Sequence, residues 1–153
     1  MDNFGFIHGE LDTKLLILFI LRRLPRPVDG DTLTELFFCD TGVSWFEYSQ
    51  CLADLVDTGH IDKLENGRYM ITEKGDRNCA ATESSLPYSV RTKAERLIKP
   101  IAAQMKRDAL IVTEHRVEKN GCFVKLSLSD GEGDIINMTV LVSDEACAQD
   151  IEQ

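Results

Sequence analysis

Long apolar runs are absent from this sequence. Its longest stretch of apolar side chains, residues 15–21, ends at Arg22 after seven residues, whereas a membrane-spanning helix needs about 20. The N-terminal residues include Asp2 and Glu10 but no basic cluster, unlike the start of a signal peptide. We therefore predict a cytoplasmic protein with no membrane span and no signal peptide.

Closely spaced cysteine pairs are also absent. The five cysteines are odd in number and form no Cys-x-x-Cys pair: Cys39, Cys51, Cys79, Cys122 and Cys147. Zinc sites and disulfide frameworks need cysteines at short or regular spacings, so we predict neither. We expect reduced thiols, most of them buried as small apolar side chains.

Basic residues are scarce relative to acidic ones. The chain has 17 lysines and arginines against 26 aspartates and glutamates, which gives a formal net charge of −9. Nucleic-acid-binding proteins usually carry a basic surface, because neutralising phosphates supplies most of their affinity. Residues 91–107 hold six basic side chains and one acidic one. We interpret this stretch as a solvated helix face that pairs with the acidic first half, with a nucleic-acid surface as the alternative.

Apolar residues at helical spacing predict two helices early in the chain. The first spans residues 11–24 and ends before Pro25. The second opens at Thr32, which has Glu35 in the capping-box position, and stops near residues 40–42.

A third helix is predicted to follow at once. It opens at Ser44, with Glu47 as its capping partner, and runs to about Thr58, where Gly59 fits a helix C-cap. We expect its inward face to consist of Trp45, Tyr48, Leu52, Leu55 and Val56. We expect its outward face to consist of Phe46, Glu47, Gln50, Ala53, Asp54 and Asp57. That outward face lacks lysine and arginine, and its carboxylates would repel phosphate.

The pattern then changes to that of a β-hairpin. Residues 60–65 and 68–71 have strand-like patterns, and Asn66-Gly67 between them is a strong signal for a tight turn. Thr72 is placed to cap a fourth helix that includes Cys79.

Three helices followed by a hairpin is the order of a winged helix-turn-helix domain, in which the third helix enters a DNA groove and the hairpin is the wing. Two phrases sharpen this pattern: residues 55–61 read Leu-x-x-x-Gly-x-Ile, and residues 69–75 read Tyr-x-Ile-Thr-x-x-Gly. These phrases are similar to the wings of many bacterial regulators. The whole chain resembles a family of small, uncharacterised bacterial winged-helix proteins catalogued as a domain of unknown function.

The second half begins with a long helix. After a break at Leu86-Pro87, residues 89–107 have a helical pattern, and Pro100 is expected to kink this helix or divide it in two. We therefore divide the chain into a winged helix-turn-helix domain, residues 1–86, and a second domain, residues 87–153, for dimerisation or sensing.

Residues 110–142 alternate with a period of two and predict a three-stranded antiparallel meander. A tight turn at Asn120-Gly121 pairs Val117 with Val124 and His115 with Leu126. The meander has one apolar face, to which the third strand contributes Ile136, Met138, Val140 and Val142. The long helix, a short terminal helix from Asp144, or a second subunit could cover that face. The fold class is α+β.

The sequence contains none of the catalytic or cofactor-binding motifs that would indicate an enzyme. His8, His60 and His115 are not accompanied by any Ser or Cys pattern that builds a nucleophile and base. The acidic turn at residues 130–134 lacks a calcium-loop glutamate, since Leu141 stands at the twelfth position. No glycine-rich phosphate loop is present. We expect no enzymatic activity and no cofactor, metal ions included.

The function that the fold suggests is transcriptional regulation by a homodimer that binds double-stranded DNA. The residues expected to contact DNA lie at the start of the third helix and on or beside the wing: Ser44, Phe46, Ser49, Gln50, Lys63, Arg68 and Lys74. No motif in the sequence identifies the DNA operator that would be bound or a small-molecule effector. The alternative is a winged-helix protein-interaction module without DNA binding, since an acidic face with an exposed Phe46 suits a basic or amphipathic partner.

Overall fold

The structure, a computed structural model, describes Ile7 and residues 9–38, 42–130 and 132–152. Over these residues the chain is a mixed α+β protein. Its helices are α1 (Gly9–Arg23), α2 (Gly30–Phe37), α3 (Trp45–Asp57), α4 (Glu73–Thr82), α5 (Tyr88–Leu110) and α6 (Glu145–Glu152). Its strands are β1 (Ile61–Lys63), β2 (Tyr69–Ile71), β3 (Ile111–Glu118), β4 (Gly121–Ser129) and β5 (Asp134–Val142). None of the described helices is long and apolar enough to cross a membrane.

Contacts divide the chain into two compact units, Met1–Ala103 and Gln104–Gln153. The first unit is built around α1, which contacts α2, α3, α4 and β2. Residues 16–21 of α1 are all buried, as expected for a helix that is surrounded by other elements. The core of this unit is completed by Leu33, Phe37, Tyr48, Leu55 and Ile61.

The second helix begins earlier than the sequence predicts. We expected Thr32 to open it, but Asp29 is the N-cap, and its carboxylate accepts hydrogen bonds from Thr32 N at 2.8 Å and Thr32 Oγ1 at 3.0 Å. An aspartate at this position satisfies a free N–H of the first turn, so the helix is capped three residues sooner. The predicted end of the helix at Asp40 and Thr41 lies outside the described residues, as do Cys39 and His8.

The third helix has the caps that its sequence predicts. Ser44 Oγ accepts a hydrogen bond from Glu47 N at 3.2 Å. At the other end, Gly59 has a positive φ of 74°, and His60 N bonds to Leu55 O at 2.9 Å. This pattern closes the helix and turns the chain directly into β1.

A backbone pairing that the sequence does not reveal attaches the hairpin to the helices. Val28, between α1 and α2, exchanges hydrogen bonds with Tyr69 of β2: Val28 N donates to Tyr69 O at 2.9 Å, and Tyr69 N donates to Val28 O at 2.8 Å. The hairpin pairs β1 with β2 antiparallel. Val28 therefore pairs with β2 as a one-residue third strand of this small sheet and holds the sheet beside α2.

Four charged side chains connect α1 to α4 and the 3₁₀ turn Glu83–Ser85. Arg22 bonds to Asp76 at 2.9 Å and to Glu83 at 3.2 Å, and Arg23 bonds to Glu83 at 3.1 Å. Hydrogen bonds from Arg23 hold the pKa of Glu83 below its usual value. Cys79 is buried beside this cluster, and burial raises the pKa of its thiol to about 11, so it is an inert packing residue.

The long helix α5 is one continuous element. We expected Pro100 to kink the helix or divide it; α5 runs through this residue from Tyr88 to Leu110, so the division is wrong and the kink stays a prediction. Its N-terminal half packs into the first unit through Val90, Ala94 and Ile98, which are buried.

The second unit is a three-stranded antiparallel sheet in the order β3-β4-β5. The predicted meander and its apolar face are present, but the predicted register is wrong. Val117 pairs with Cys122, and His115 pairs with Val124, because the turn consists of Lys119 and Asn120 and Gly121 already belongs to β4. The shift is two residues, so each side chain stays on its predicted face while its partner changes.

Helix α6 covers one end of the apolar face. Ala148 packs with Cys122 and Val124 in a small core to which Leu126 and Val142 are added. The helix is also held by its ends, since His115 Nδ1 lies 3.0 Å from the Glu152 carboxylate and His115 Nε2 lies 3.7 Å from Glu145. The hydrogen bond with Glu152 raises the pKa of His115.

Candidate nucleic-acid interface

The first turn of α3 presents two large aromatic side chains to solvent. Phe46 is 76% exposed, as predicted, and Trp45 is 63% exposed. The exposure of Trp45 contradicts our expectation that it packs inward. Trp45 is the first helical residue of α3, and its ring packs at a tilt beside those of Phe38 and Tyr48, with ring centroids 6.2 and 5.6 Å away.

The rest of the helix follows the predicted division into two faces. Tyr48, Leu52 and Leu55 are buried, and Cys51 joins them. Phe46, Gln50, Ala53 and Asp57 are exposed, and Ser49 and Val56 are half-buried at the boundary between the faces. Burial raises the pKa of the Cys51 thiol, which marks it as a packing residue of this helix.

A groove of about 420 Å³ lies between α2, α3 and the hairpin. Its floor and walls include Trp45, Ser49 and Val56 of α3, Asp31 of α2, and Lys63 and Tyr69 of the hairpin. The lining combines apolar and aromatic side chains with two carboxylates, Asp31 and Asp57, and one lysine. The groove brings two of the predicted contact residues, Ser49 and Lys63, to the same concave surface.

The opposite side of α3 carries carboxylates whose charge is partly neutralised. Glu10 of α1 and Glu47, Gln50 and Asp54 of α3 surround a shallow pocket. Lys14 of α1 pairs with Asp54 at 3.1 Å and also with Glu10. Asp54 is therefore less repulsive to a polyanion than the sequence suggests.

The hairpin turn places a cation at its tip. Gly67 adopts a φ of 79°, and Arg68 N donates a hydrogen bond to Asn66 Oδ1 at 3.1 Å. The Arg68 side chain is exposed just after the turn, and Lys63 lies on the neighbouring strand with its ammonium 5.6 Å from the Tyr69 ring centre. The predicted hairpin is confirmed, but its loop is Glu65–Gly67, one residue longer than the Asn66-Gly67 turn that we expected, since Leu64 N bonds to Arg68 O at 2.8 Å.

Lys74 lies apart from the other candidate residues. Its ammonium donates a hydrogen bond to Thr58 O at 2.7 Å, at the C-terminal end of α3. A lysine there stabilises the negative end of the helix dipole. The neighbouring His60 contacts Thr58 Oγ1 and Asn78, each at 2.8 Å, and burial together with the charge of Lys74 lowers its pKa. Lys74 thus has a structural role at Thr58, which lies roughly 20 Å from Trp45 along the α3 axis.

Two residues of the candidate site, Trp45 and Tyr69, were not singled out from the sequence. Trp45 was placed in the core because its position falls on the inward side of the helical wheel, and a wheel does not show where the core ends. Tyr69 was read only as part of the wing phrase, and its place in the groove depends on the pairing with Val28.

A family model described as Domain of unknown function (DUF4364) matches residues 13–153 of the chain. The match covers well over half of the chain and includes both units. No curated protein and no solved structure gives a significant match.

Proposed function

The chain belongs to the family described as Domain of unknown function (DUF4364), and we propose that it is a DNA-binding transcriptional regulator that acts as a homodimer. In this proposal residues 1–86 form a winged helix-turn-helix domain. Helices α2 and α3 are the helix-turn-helix, and the hairpin β1–β2 is the wing. The observation that carries the proposal is the pairing of Val28 with Tyr69, because it fixes the hairpin at the start of α2, the first helix of the proposed helix-turn-helix.

The proposed contact is made by the first turn of α3. The N-terminal end of a helix carries a positive partial charge and attracts phosphate. Gln50 could read an adenine edge through its amide, and Phe46 could contact a thymine methyl group. Ser44 and Ser49 supply hydroxyl groups at the same end. Insertion by the N-terminus keeps Asp57 roughly 18 Å away along the helix axis.

The wing supplies the cations that α3 lacks. Arg68 at the turn and Lys63 on β1 are exposed and would approach the DNA backbone or minor groove. Lys74 would approach a phosphate only at the far end of the contact, since its ammonium bonds to Thr58 O. A contact with so few cations neutralises few phosphates, so we expect modest affinity that depends on two copies binding together.

Fluorescence polarisation with a labelled random-sequence duplex tests this proposal. At about 50 mM salt the protein should bind, and the logarithm of the binding constant should fall linearly with the logarithm of salt, with a slope near −0.9 for each phosphate contacted. Absence of binding at this salt concentration, by a protein that circular dichroism shows to be folded, would contradict the proposal.

The groove favours a second candidate function, a protein-interaction module that does not bind DNA. Its aromatic side chains, together with Asp31 and Asp57 in the lining, suit the apolar face of a basic amphipathic helix. A synthetic helical peptide with leucines on one face and lysines on the other is a suitable probe. Saturable binding of this peptide, weakened by Val56→Asp, together with no binding of the random duplex, would favour the second function over the first.

A further inference from the structure

The two edges of the C-terminal sheet differ in chemistry. The edge strand β3 carries three charged residues, Glu114, Arg116 and Glu118. The edge strand β5 carries none between residues 135 and 142, and its only charged residue is Asp134 at the start. Charged side chains on an edge strand are a common protection against pairing with another chain. One edge of this sheet has that protection and the other lacks it.

Strand β5 is also unusually exposed for an apolar strand. Ile135, Ile136, Met138 and Leu141 are between 48% and 60% exposed, and they lie on both faces of the strand. Within the part of the chain that the structure describes, β5 pairs only with β4. Its second edge therefore presents a row of backbone N–H and C=O groups over nine residues.

We propose that β5 pairs antiparallel with β5 of a second copy of this chain and joins the two sheets into one of six strands. The inference deepens the homodimer part of the proposed function and does not depend on contact with DNA. Two copies related by a twofold axis must present the same surface to each other, so a self-complementary strand is required.

The sequence of β5 meets this requirement about its central residue. The strand Asp134–Val142 has Met138 at its midpoint. Symmetric pairing about Met138 sets Ile135 opposite Leu141, Ile136 opposite Val140, and Asn137 opposite Thr139 of the second copy. Over residues 135–141 apolar residues thus face apolar residues and polar residues face polar residues; Asp134 at the strand end falls opposite Val142, and no like charges meet. Both faces of the sheet continue across the axis, because each residue meets one that points to the same side.

Size-exclusion chromatography with light scattering tests the pairing on the full chain. The wild-type protein should be a dimer when loaded at about 100 µM, a concentration well above a Kd of about 1 µM. Met138→Lys should be a monomer, because two lysines would meet at the twofold axis. Val117→Lys is the matched control, since Val117 is an exposed apolar residue on the other edge strand, and it should remain a dimer. A monomeric wild type, or a dimer that survives Met138→Lys, would overturn the inference.

Disulfide formation gives a second test that does not rely on loss of assembly. Opposed residues of an antiparallel pair have Cα atoms about 4.5–5.5 Å apart, which is within reach of a disulfide. Met138→Cys should therefore form a covalent dimer under mild oxidation, above the background from the wild-type chain with its exposed Cys147. Val117→Cys should not exceed that background. A Met138→Cys protein that cross-links no more than Val117→Cys would overturn the inference.

The two proposals fail in different experiments. A wild-type dimer that does not bind duplex DNA would contradict the regulator and leave the β5 pairing supported. A wild-type monomer that binds duplex DNA would contradict the β5 pairing and leave the DNA contact supported.

Discussion

The backbone carbonyl oxygen of His60 lies 2.2 Å from the position that a Cβ atom on Gly75 would occupy. Real Cβ atoms do not approach a carbonyl this closely, so α4 can pack against the end of α3 and the start of β1 only with glycine at residue 75. Thr72 completes the junction, because its hydroxyl accepts a hydrogen bond from Gly75 N and donates one to Gly59 O. The Thr-x-x-Gly phrase read from the sequence is therefore a packing requirement of the hairpin.

Gly75→Ala should destabilise the protein by about 1–3 kcal/mol, because the added methyl group forces α4 away from His60 and Ile71. Urea denaturation followed by circular dichroism measures the change in the free energy of unfolding. Gly30→Ala is the control, since a Cβ there would lie 3.6 Å from Tyr69 Cε2, an ordinary contact, within a helix that favours alanine. An unchanged free energy of unfolding for Gly75→Ala would show that the junction is looser than described.

Arg68→Glu should weaken binding to duplex DNA by roughly tenfold, or about 1.4 kcal/mol. If Arg68 contacts one phosphate, the slope of the salt dependence should also become shallower by about 0.9. Stability should change by less than about 0.5 kcal/mol, since the side chain is exposed. Arg77→Glu on α4 makes the same change in net charge outside the candidate site. Equal loss of affinity in both variants would mean that overall charge, and not the wing, determines binding.

His115→Gln should destabilise the attachment of α6 to the sheet in a pH-dependent way. Glu152 raises the pKa of His115 above its ordinary value of 6.5, so the stabilisation is complete below 6.5 and is lost as the pH rises through the raised pKa. Amide hydrogen exchange of α6 should therefore differ between wild type and variant at pH 5.5 and converge at pH 8.5, values roughly one to two units either side of the ordinary pKa. A difference that stays constant with pH would show that protonated His115 does not hold α6.

Glu83→Gln should lower the free energy of unfolding at neutral pH by about 1–2 kcal/mol, because Arg22 and Arg23 lose their shared carboxylate. The pKa of Glu83 is depressed, so the stabilisation is present above its ordinary value of 4.5 and is lost as the pH falls through the depressed pKa. Glu73→Gln is the control, because its ion pair with Arg77 is largely exposed and should contribute little. Equal changes in the free energy of unfolding from the two substitutions would show that the cluster of Arg22, Arg23, Asp76 and Glu83 contributes no more than an exposed ion pair.

Local chemistry made much of this fold predictable. Ser44 and Thr72 were identified as helix caps because a cap depends on hydrogen bonds within three residues of the chain. The α2 cap was misplaced because Asp29 and Thr32 are both good caps, and only the geometry of the preceding chain decides between them. The faces of the C-terminal strands were predicted correctly because alternation of side chains survives a register shift of two residues.

Relationships between distant residues were not predictable. The pairing of Val28 with Tyr69 joins positions about forty residues apart in sequence and has no local signal. In the β3–β4 hairpin Gly121 has a φ of 140° and is the first residue of β4, and the Asn120-Gly121 pair alone does not show whether its glycine belongs to the turn or to the strand. The exposure of Trp45 depends on where the core ends, which sequence periodicity does not specify.

Trp45 also offers the most direct test of the proposed DNA contact, because it is the single tryptophan of the chain and lies in the first turn of α3. Titration of the protein with random-sequence duplex at about 50 mM salt should change its emission in a saturable way, and added salt should reverse the change. Emission that stays constant throughout the titration, with the protein folded, would contradict DNA binding by this surface.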